Sequence, residues 1–286
     1  MADQWNGKSQ ANALGFSIFL WLIRKAGLSS AYILLKFVAV YYLFFSKRAN
    51  EGLIHFFSKI KLPQPASLSN RFKAFDLFGQ SLIDKLATYM GAGKKLTFDF
   101  DNEQKLHELA SAGKGALLLG AHLGNWEIAG QLLYRIDTSI HIVMLDNEQQ
   151  QIKSLLEKHA SGKSFSIIPI SDDITFVIKI KEALDNGGFV CMHADRYMEG
   201  MRTLKTVLFG EEATFPFGPF YMGSRLGSPV AFVYAMKDSK YHYQFSCSEA
   251  HQGEKPQELL DNYVTHLEEK ASNYPHQWYN FYNFWK

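Results

Sequence analysis

The chain has 286 residues, 47% of them hydrophobic and 15% aromatic, enough for a sizeable core in one large domain or a domain with an appendage. Its net charge of +2 conceals a division: residues 1–95 carry thirteen Lys/Arg against four Asp/Glu, and residues 96–286 carry seventeen against twenty-four. A basic, aromatic first third suits contact with an anionic membrane surface, and basic residues interleaved with apolar runs, without a reader motif, argue against nucleic-acid binding.

In chain order, residues 1–12 are polar and expected to fray. Two apolar helices are expected next. The first runs from Ala13 to Ile23 and is closed by Arg24, Lys25 and Gly27; the second runs from Ala31 to Phe45, capped by Ser29 or Ser30 and closed by Lys47 and Arg48. Their positive charge follows the apolar run and no small-residue cleavage site is evident, unlike a cleavable signal peptide. Neither reaches the roughly 20 apolar residues that span a bilayer, so an interfacial or half-inserted hairpin is expected. Amphipathic helices follow over Asn50–Ile60 and Arg71–Met90; in the second, Phe75, Phe78, Leu82, Leu86 and Tyr89 recur at helical steps. The break near Gly93 divides a basic helical region, 1–93, from an α/β body, 94–286.

In the body, strand and helix alternate. Strands are expected at Leu96–Phe100, Ala116–Gly120, Ile140–Leu145, Phe165–Ile170, Phe189–His193, Thr203–Phe209, Val230–Met236 and Tyr241–Ser248. Helices are expected near 102–112, 126–135, 147–160 and 172–186. The fold class read from this order is α/β: a mixed, largely parallel central sheet flanked by helices, preceded by the membrane-associated helical region. Val230–Met236 and Tyr241–Ser248 read as an antiparallel hairpin, and Pro256–Asn273 as the last helix before an aromatic tail. Cys191 and Cys247 lie far apart in strand-like runs, so free buried thiols are expected, and no zinc-type Cys/His spacing occurs.

Three places could carry chemistry. At Leu117–Gly130, LLLGAHLGNWEIAG, a strand ends, His122 sits on a turn and Glu127 falls in the first helical turn. With Asn125 as N-cap, Glu127 can reach back to one ring nitrogen of His122, making the pair a candidate general base and orienting acid. Nearby backbone N–H groups could stabilise an oxyanion. Second, His193-Ala-Asp195-Arg196 ends another strand on the same sheet edge; Arg196 suits a phosphate, and Asp195 could hold the loop or orient an acceptor. Third, in LFGEEATFPFGPF, Thr214 reads as an N-cap and Pro216 as part of a first helical turn, which offers backbone donors near Gly218 to an anion or acyl carbonyl. Each place also has a purely structural reading.

Taken in this order, the three resemble the bacterial lipid A biosynthesis acyltransferases, the late lauroyl/myristoyl transferases of the lysophospholipid acyltransferase superfamily. The superfamily is marked by His, four residues, then Asp or Glu, here His122-Leu-Gly-Asn-Trp-Glu127, and the HxGNWE form is typical of the lipid A branch. An Asp after a later strand matches Asp195, with Arg196 where Gln usually follows. Phe209-Gly210 and Thr214 to Pro219 echo a Phe-Phe-Gly…Thr-Pro-x-Gly-Pro block, with Phe215 extra, and Leu226-Gly-Ser-Pro-Val230 matches a strand entry. The likeness covers about residues 10 to 285.

That resemblance implies transfer of a fatty acyl group from an acyl carrier protein, or another acyl thioester, to a lipid acceptor at the cytoplasmic face of the bacterial inner membrane. It implies no cofactor and no metal, with His122 as general base, Glu127 as its partner, and substrate contacts near Asn125, Asp195, Arg196, Thr214 and Gly218. Where members that act on lipid A usually carry an Arg-rich stretch, this chain has Leu145-Asp-Asn-Glu-Gln-Gln-Gln. A smaller or less anionic acceptor is therefore expected, such as an aminoacyl lipid or a hydroxylated polyene pigment. The alternatives are a thioesterase or lipase-like hydrolase using the same His-Glu pair, and a non-catalytic lipid-binding protein. The acceptor supplies its own nucleophile in the leading reading, which agrees with the absence of a G-x-S-x-G elbow.

Overall fold

The computed structural model describes residues 13–126, 128, 135–145, 165–171 and 173–285. The helices expected near 126–135 and 147–160 fall outside these residues except at Trp126, Ile128 and Arg135.

Four helices come first: α1 (Ala13–Ala26), α2 (Leu28–Phe45), α3 (Lys47–Lys59) and α4 (Leu68–Tyr89). Gly27, at φ +80°, makes the bend into α2. Ser29 and Ser30 do not cap that helix; they lie inside its first turn, where Ser29 Oγ pairs with the Tyr241 hydroxyl at 2.9 Å and Ser30 Oγ donates to the Ala26 carbonyl. Leu28, Ala31, Leu35, Ala39 and Leu43 form the buried stripe of α2. It packs on α4 at Gly79, where a Cβ would press into the Leu35 side chain. This contact sets the rotation of α4: Phe75, Ile83 and Leu86 turn inward, whereas Leu82, expected on the buried face, is 43% exposed. Ser67 caps α4 by accepting from Asn70 N–H.

The body builds β1 (Thr97–Asp101), α5 (Glu103–Ser111), β2 (Ala116–Gly120), β3 (Ile140–Leu145), β4 (Ser166–Ile170), α6 (Thr175–Asp185) and β5 (Phe189–His193). After them come β6 (Thr203–Leu208), β7 (Glu211–Pro216), α7 (Phe217–Arg225), β8 (Val230–Ser239), β9 (His242–Cys247) and α8 (Pro256–Asn273). Seven strands form one sheet in the order β1-β9-β8-β2-β5-β3-β4. The five from β8 to β4 run parallel; β8 and β9 pair antiparallel as the expected hairpin, and β1 runs parallel to β9. The mixed, largely parallel sheet flanked by helices is therefore the architecture of this chain. Central β2 is buried at all five positions, and its alternation splits the core: Leu117 and Leu119 join one layer, Leu118 the other.

A further expectation fails between β6 and α7. Thr214 is no N-cap; it lies in mid-strand β7, opposite Lys205 of β6. Phe209 and Gly210 both take positive φ, +51° and +81°, and close a two-residue hairpin turn of the primed type. Pairing with β6 then carries the strand from Glu211 to Pro216, and α7 begins at Phe217. The Phe-Gly pair was a turn signal, and the Thr-x-Pro cue for a helix start yielded to strand pairing.

The first four helices share their cores with the sheet. Phe56 and Phe57 of α3 cluster with Leu119, Phe232, Tyr263 and Trp278, while Ile23, Tyr32, Leu35 and Ile83 cluster with Tyr243 and Phe245. Between helices and sheet lies a buried ion pair, Lys237 to Asp84, whose carboxylate also accepts from the Tyr32 and Tyr243 hydroxyls. Burial pushes the Asp84 carboxyl up and the Lys237 ammonium down, each against the pull of the other. Cys191 and Cys247 are free, and burial pushes both thiols up to about 12, so neither is a nucleophile near neutral pH.

Candidate active site

Parallel pairing of β2 with β5 places Gly120 opposite His193. Continuing both chains two residues past that match brings His122 and Asp195 together at the carboxyl end of the sheet, where α/β folds bind ligands. The Ala194 N–H donates to the Gly120 carbonyl at 3.0 Å and holds this register beyond the strands. His122 Nδ1 lies 2.8 Å from Asp195 Oδ1, and the His122 backbone N–H donates to Asp195 Oδ2 at 3.0 Å.

The turn after His122 is clamped from two sides. Gly124 takes φ +72°, and a Cβ there would run into the Ala235 carbonyl of β8, so only glycine fits. Its N–H donates to the Gln277 carbonyl at 2.9 Å, while Asn125 N–H donates to Ala235 O at 2.7 Å. The aromatic tail forms the second side: Tyr279 N–H donates to His122 O at 2.9 Å, and Trp278 Nε1–H donates to Asp195 Oδ2 at 3.1 Å.

Asp195 is fully buried and accepts three hydrogen bonds. Burial alone would raise its carboxyl, but the His122 ring, the hydrogen bond from it and the Arg196 charge outweigh that and hold it well below the usual carboxylate range. His122 is lowered by burial and by Arg196, against the opposing pull of Asp195. The result is a neutral imidazole on an ionised carboxylate, the protonation state a base requires.

The remaining expected residues are placed as follows. Asn125 is buried; its side-chain oxygen accepts from Ile128 N–H at 3.4 Å, as an N-cap does, and its amide donates to Ser81 O and to the Tyr243 hydroxyl. It thus ties the His122 turn to α4 and β9. Arg196 holds the tail, donating to Tyr279 O at 2.7 Å and Asn280 Oδ1 at 3.2 Å, with its guanidinium 5.8 Å from the Tyr282 ring. Thr214 belongs to the β6–β7 hairpin, and Gly218, in the first turn of α7, is exposed. Glu127 lies outside the described residues.

Two residues of the site carry no expected role. Trp278 was legible only as part of an aromatic tail. His193 stands two residues before Asp195, so strand alternation puts both on one side, and its Nδ1 lies 3.2 Å from His122 Nε2. His122, His193 and Asp195 have donor atoms within 4.8 Å of one another, close enough to approach a cation. Yet His122 Nδ1 and Asp195 Oδ1 are committed to each other, which leaves two imidazole nitrogens where tight transition-metal sites use three or four protein ligands. A cavity of about 380 Å³ lies at the other end of the sheet, lined by Ser139, His141, Ile168, Lys179 and Glu182, and has no part in this cluster.

Among curated proteins, none matches the chain. The family described as bacterial lipid A biosynthesis acyltransferase matches residues 13–286. The match covers nearly the whole chain, and the protein belongs to that family of acyltransferases.

Proposed function

We propose that this acyltransferase moves a fatty acyl group from an acyl thioester, carried by acyl carrier protein, to a hydroxyl or amine of a membrane lipid or lipid-like acceptor. The observation that carries the reading is the Asp195–His122 pair. A buried carboxylate with three donors fixes the His122 Nδ1–H tautomer and stabilises the imidazolium that forms once a proton is taken. The acceptor oxygen or nitrogen, freed of its proton, attacks the thioester carbonyl and the thiol leaves. Glu127, the acidic residue of the HxGNWE motif, keeps in this reading the part of partner to His122 that the resemblance implies.

The family is membrane-associated, and the surface of α2 supports a membrane-facing role here. Ile33, Phe37, Val40, Tyr41 and Phe44 recur at helical steps and are 63, 70, 43, 58 and 65% exposed, with Trp21 of α1 at 61%. Arg24 and Lys25 precede this stripe and Lys47 and Arg48 follow it, suiting an anionic headgroup layer on the cytoplasmic side. By length and composition α2 could also cross a bilayer, though one third of it is buried in the protein. The acidic and amide-rich residues 146–151 favour an acceptor with fewer phosphates than a lipid A precursor.

The decisive experiment incubates detergent-purified protein with acyl carrier protein thioester and total bacterial lipid, then follows products by mass spectrometry. An acceptor heavier by one acyl chain, lost with His122→Ala, is expected. Free fatty acid without acylated lipid would instead identify a hydrolase. Efficient transfer onto lipid A precursors would refute the acceptor preference.

A further inference from the structure

The crossover from β7 back to β8 carries a face that the site does not use. α7 runs from the carboxyl edge of the sheet toward the amino edge. Its Phe220 ring lies 5.4 Å from that of Tyr263, whose hydroxyl donates to the Gly120 carbonyl at 3.0 Å, at the end of β2. Its Gly223 sits over Leu117 and Val230, nearer the other end, where a Cβ would press on Val230 and Leu259. Phe217, three residues before Phe220, therefore stands at the edge that holds His122, and Arg225 closes the helix toward the opposite edge.

On the outward side, Phe217, Tyr221 and Arg225 recur at four-residue steps and share one face. They are stacked in a row that Arg202 completes. The Arg202 guanidinium lies 4.1 Å from the Phe217 centroid, and the Phe217 and Tyr221 rings stack at 5.0 Å and 28°. The Arg225 guanidinium lies 6.0 Å from the Tyr221 centroid. Phe217 N–H donates to the Arg202 carbonyl at 2.9 Å and pins the first arginine to the helix start. Arg202, Tyr221 and Arg225 are exposed. Neither arginine has a carboxylate partner among the described residues: Glu211 pairs with Lys59, Glu212 with Lys205, and Glu199, three residues before Arg202, forms no ion pair with it.

An arginine laid on an aromatic ring loses little freedom on binding, and Arg and Tyr dominate the contacts that hold protein interfaces together. From Phe217 to Arg225 the helix rises about 12 Å, longer than one phosphate or headgroup and matched to about two turns of a partner helix. We propose that this row docks an acidic helix of the carrier protein that brings the acyl thioester, with carboxylates on Arg202 and Arg225 and an apolar side chain on Tyr221. The inference rests on the acyl-transfer reading and names the contact by which the donor is recognised. Because the row begins at the carboxyl edge, a carrier seated on it presents its thioester arm to His122 from the flank covered by α7. Charge steers the encounter, so donor affinity depends on salt whereas the chemical step does not.

The test uses the full-length protein in detergent, with acyl carrier protein thioester as donor and the acceptor found above. In the double variant Arg202→Glu, Arg225→Glu, KM for the carrier thioester should rise at least about fivefold while kcat and the acceptor KM stay within about threefold. A smaller rise in the carrier KM overturns the proposal, as does a fall in kcat without that rise. Raising the ionic strength should raise the carrier KM of the wild type and leave that of the variant nearly flat; equal salt dependence of the two overturns it as well. Sedimentation with anionic vesicles should match the wild type, and weaker sedimentation with the carrier KM unmoved would assign the row to lipid instead. If the charge-reversed protein does not fold, Arg202→Gln, Arg225→Gln is judged by the same criteria. A wild type that transfers no acyl chain from the carrier overturns the acyl-transfer reading itself, whereas normal transfer with an unmoved variant overturns only the docking face.

Discussion

Replacing Asp195 by asparagine changes one atom and should invert the active site's protonation. Two donors converge on Oδ2: the His122 backbone N–H at 3.0 Å and Trp278 Nε1–H at 3.1 Å. Neither can turn into an acceptor, so the carbonyl oxygen of the introduced amide has to occupy that place. Its NH2 group then takes the Oδ1 position, 2.8 Å from His122 Nδ1, and donates where the carboxylate accepted. His122 must carry its proton on Nε2 and cannot accept another there. It also loses the counter-charge for its imidazolium. In hydrolases built on a carboxylate–histidine pair the same isosteric change lowers turnover about 10⁴-fold, or ~5.5 kcal/mol of barrier. We expect a loss of 10³- to 10⁴-fold in kcat for Asp195→Asn, with little change in KM. Thiol release from the acyl thioester, followed with a chromogenic disulfide alongside mass spectrometry of the acceptor, measures it. The fold should survive, because all three hydrogen bonds can be remade. Retention of more than a tenth of wild-type turnover would refute the assignment of Asp195 as the group that sets the His122 tautomer.

Other perturbations test the frame around the site. Lys237→Met leaves Asp84 buried without its cation and should cost about 3–5 kcal/mol in denaturant unfolding; adding Asp84→Leu should recover much of that, and a double variant no better than the single would argue against a paired charge. Stability should fall as the solution is acidified from about pH 6.5 toward 4. Burial, aided by the Lys73 charge, lowers His276 to about 4, and His122 and His193 are lowered too, so the unfolded chain binds protons there first. Their contribution is complete above the unfolded value and lost as pH drops through that window; His276→Gln should flatten the slope of unfolding free energy between those limits. On the membrane side, Trp21→Ser, Phe37→Ser and Phe44→Ser together should weaken sedimentation with anionic vesicles at least about 100-fold, given roughly 1.5–3 kcal/mol for each large apolar side chain buried. Undiminished binding would show that the α2 stripe is not the membrane contact.

Much of this protein was legible in its sequence, for identifiable reasons. The strand ends at Gly120 and His193 were readable because continuous apolar runs, Ala116–Gly120 and Phe189–His193, stop abruptly at polar segments. The placement of His122 beside the Asp195 loop followed from one rule, that parallel strands present their carboxyl ends on one edge. Helix faces and caps were less readable. Leu82 and Ile83 are equally apolar neighbours, and only the close crossing at Gly79 decides which turns inward. Thr214 carried a helix-start cue, but the turn at Phe209 and Gly210 brought Glu211–Pro216 alongside β6, and pairing overrode the local signal.

By itself, then, the sequence determined what depends on neighbours along the chain: the alternation of elements, the basic apolar first third and the His-containing turn at a strand end. Tertiary structure alone decided which groups share hydrogen bonds across long separations. Asp195 is 73 residues from His122 and Trp278 is 83 from Asp195, and both are brought to the His122 turn by strand register and by the tail that crosses it. No periodicity encodes such partners. They follow from burial, which makes an unpaired carboxylate or imidazole costly and so requires each to find its counterpart in the folded chain.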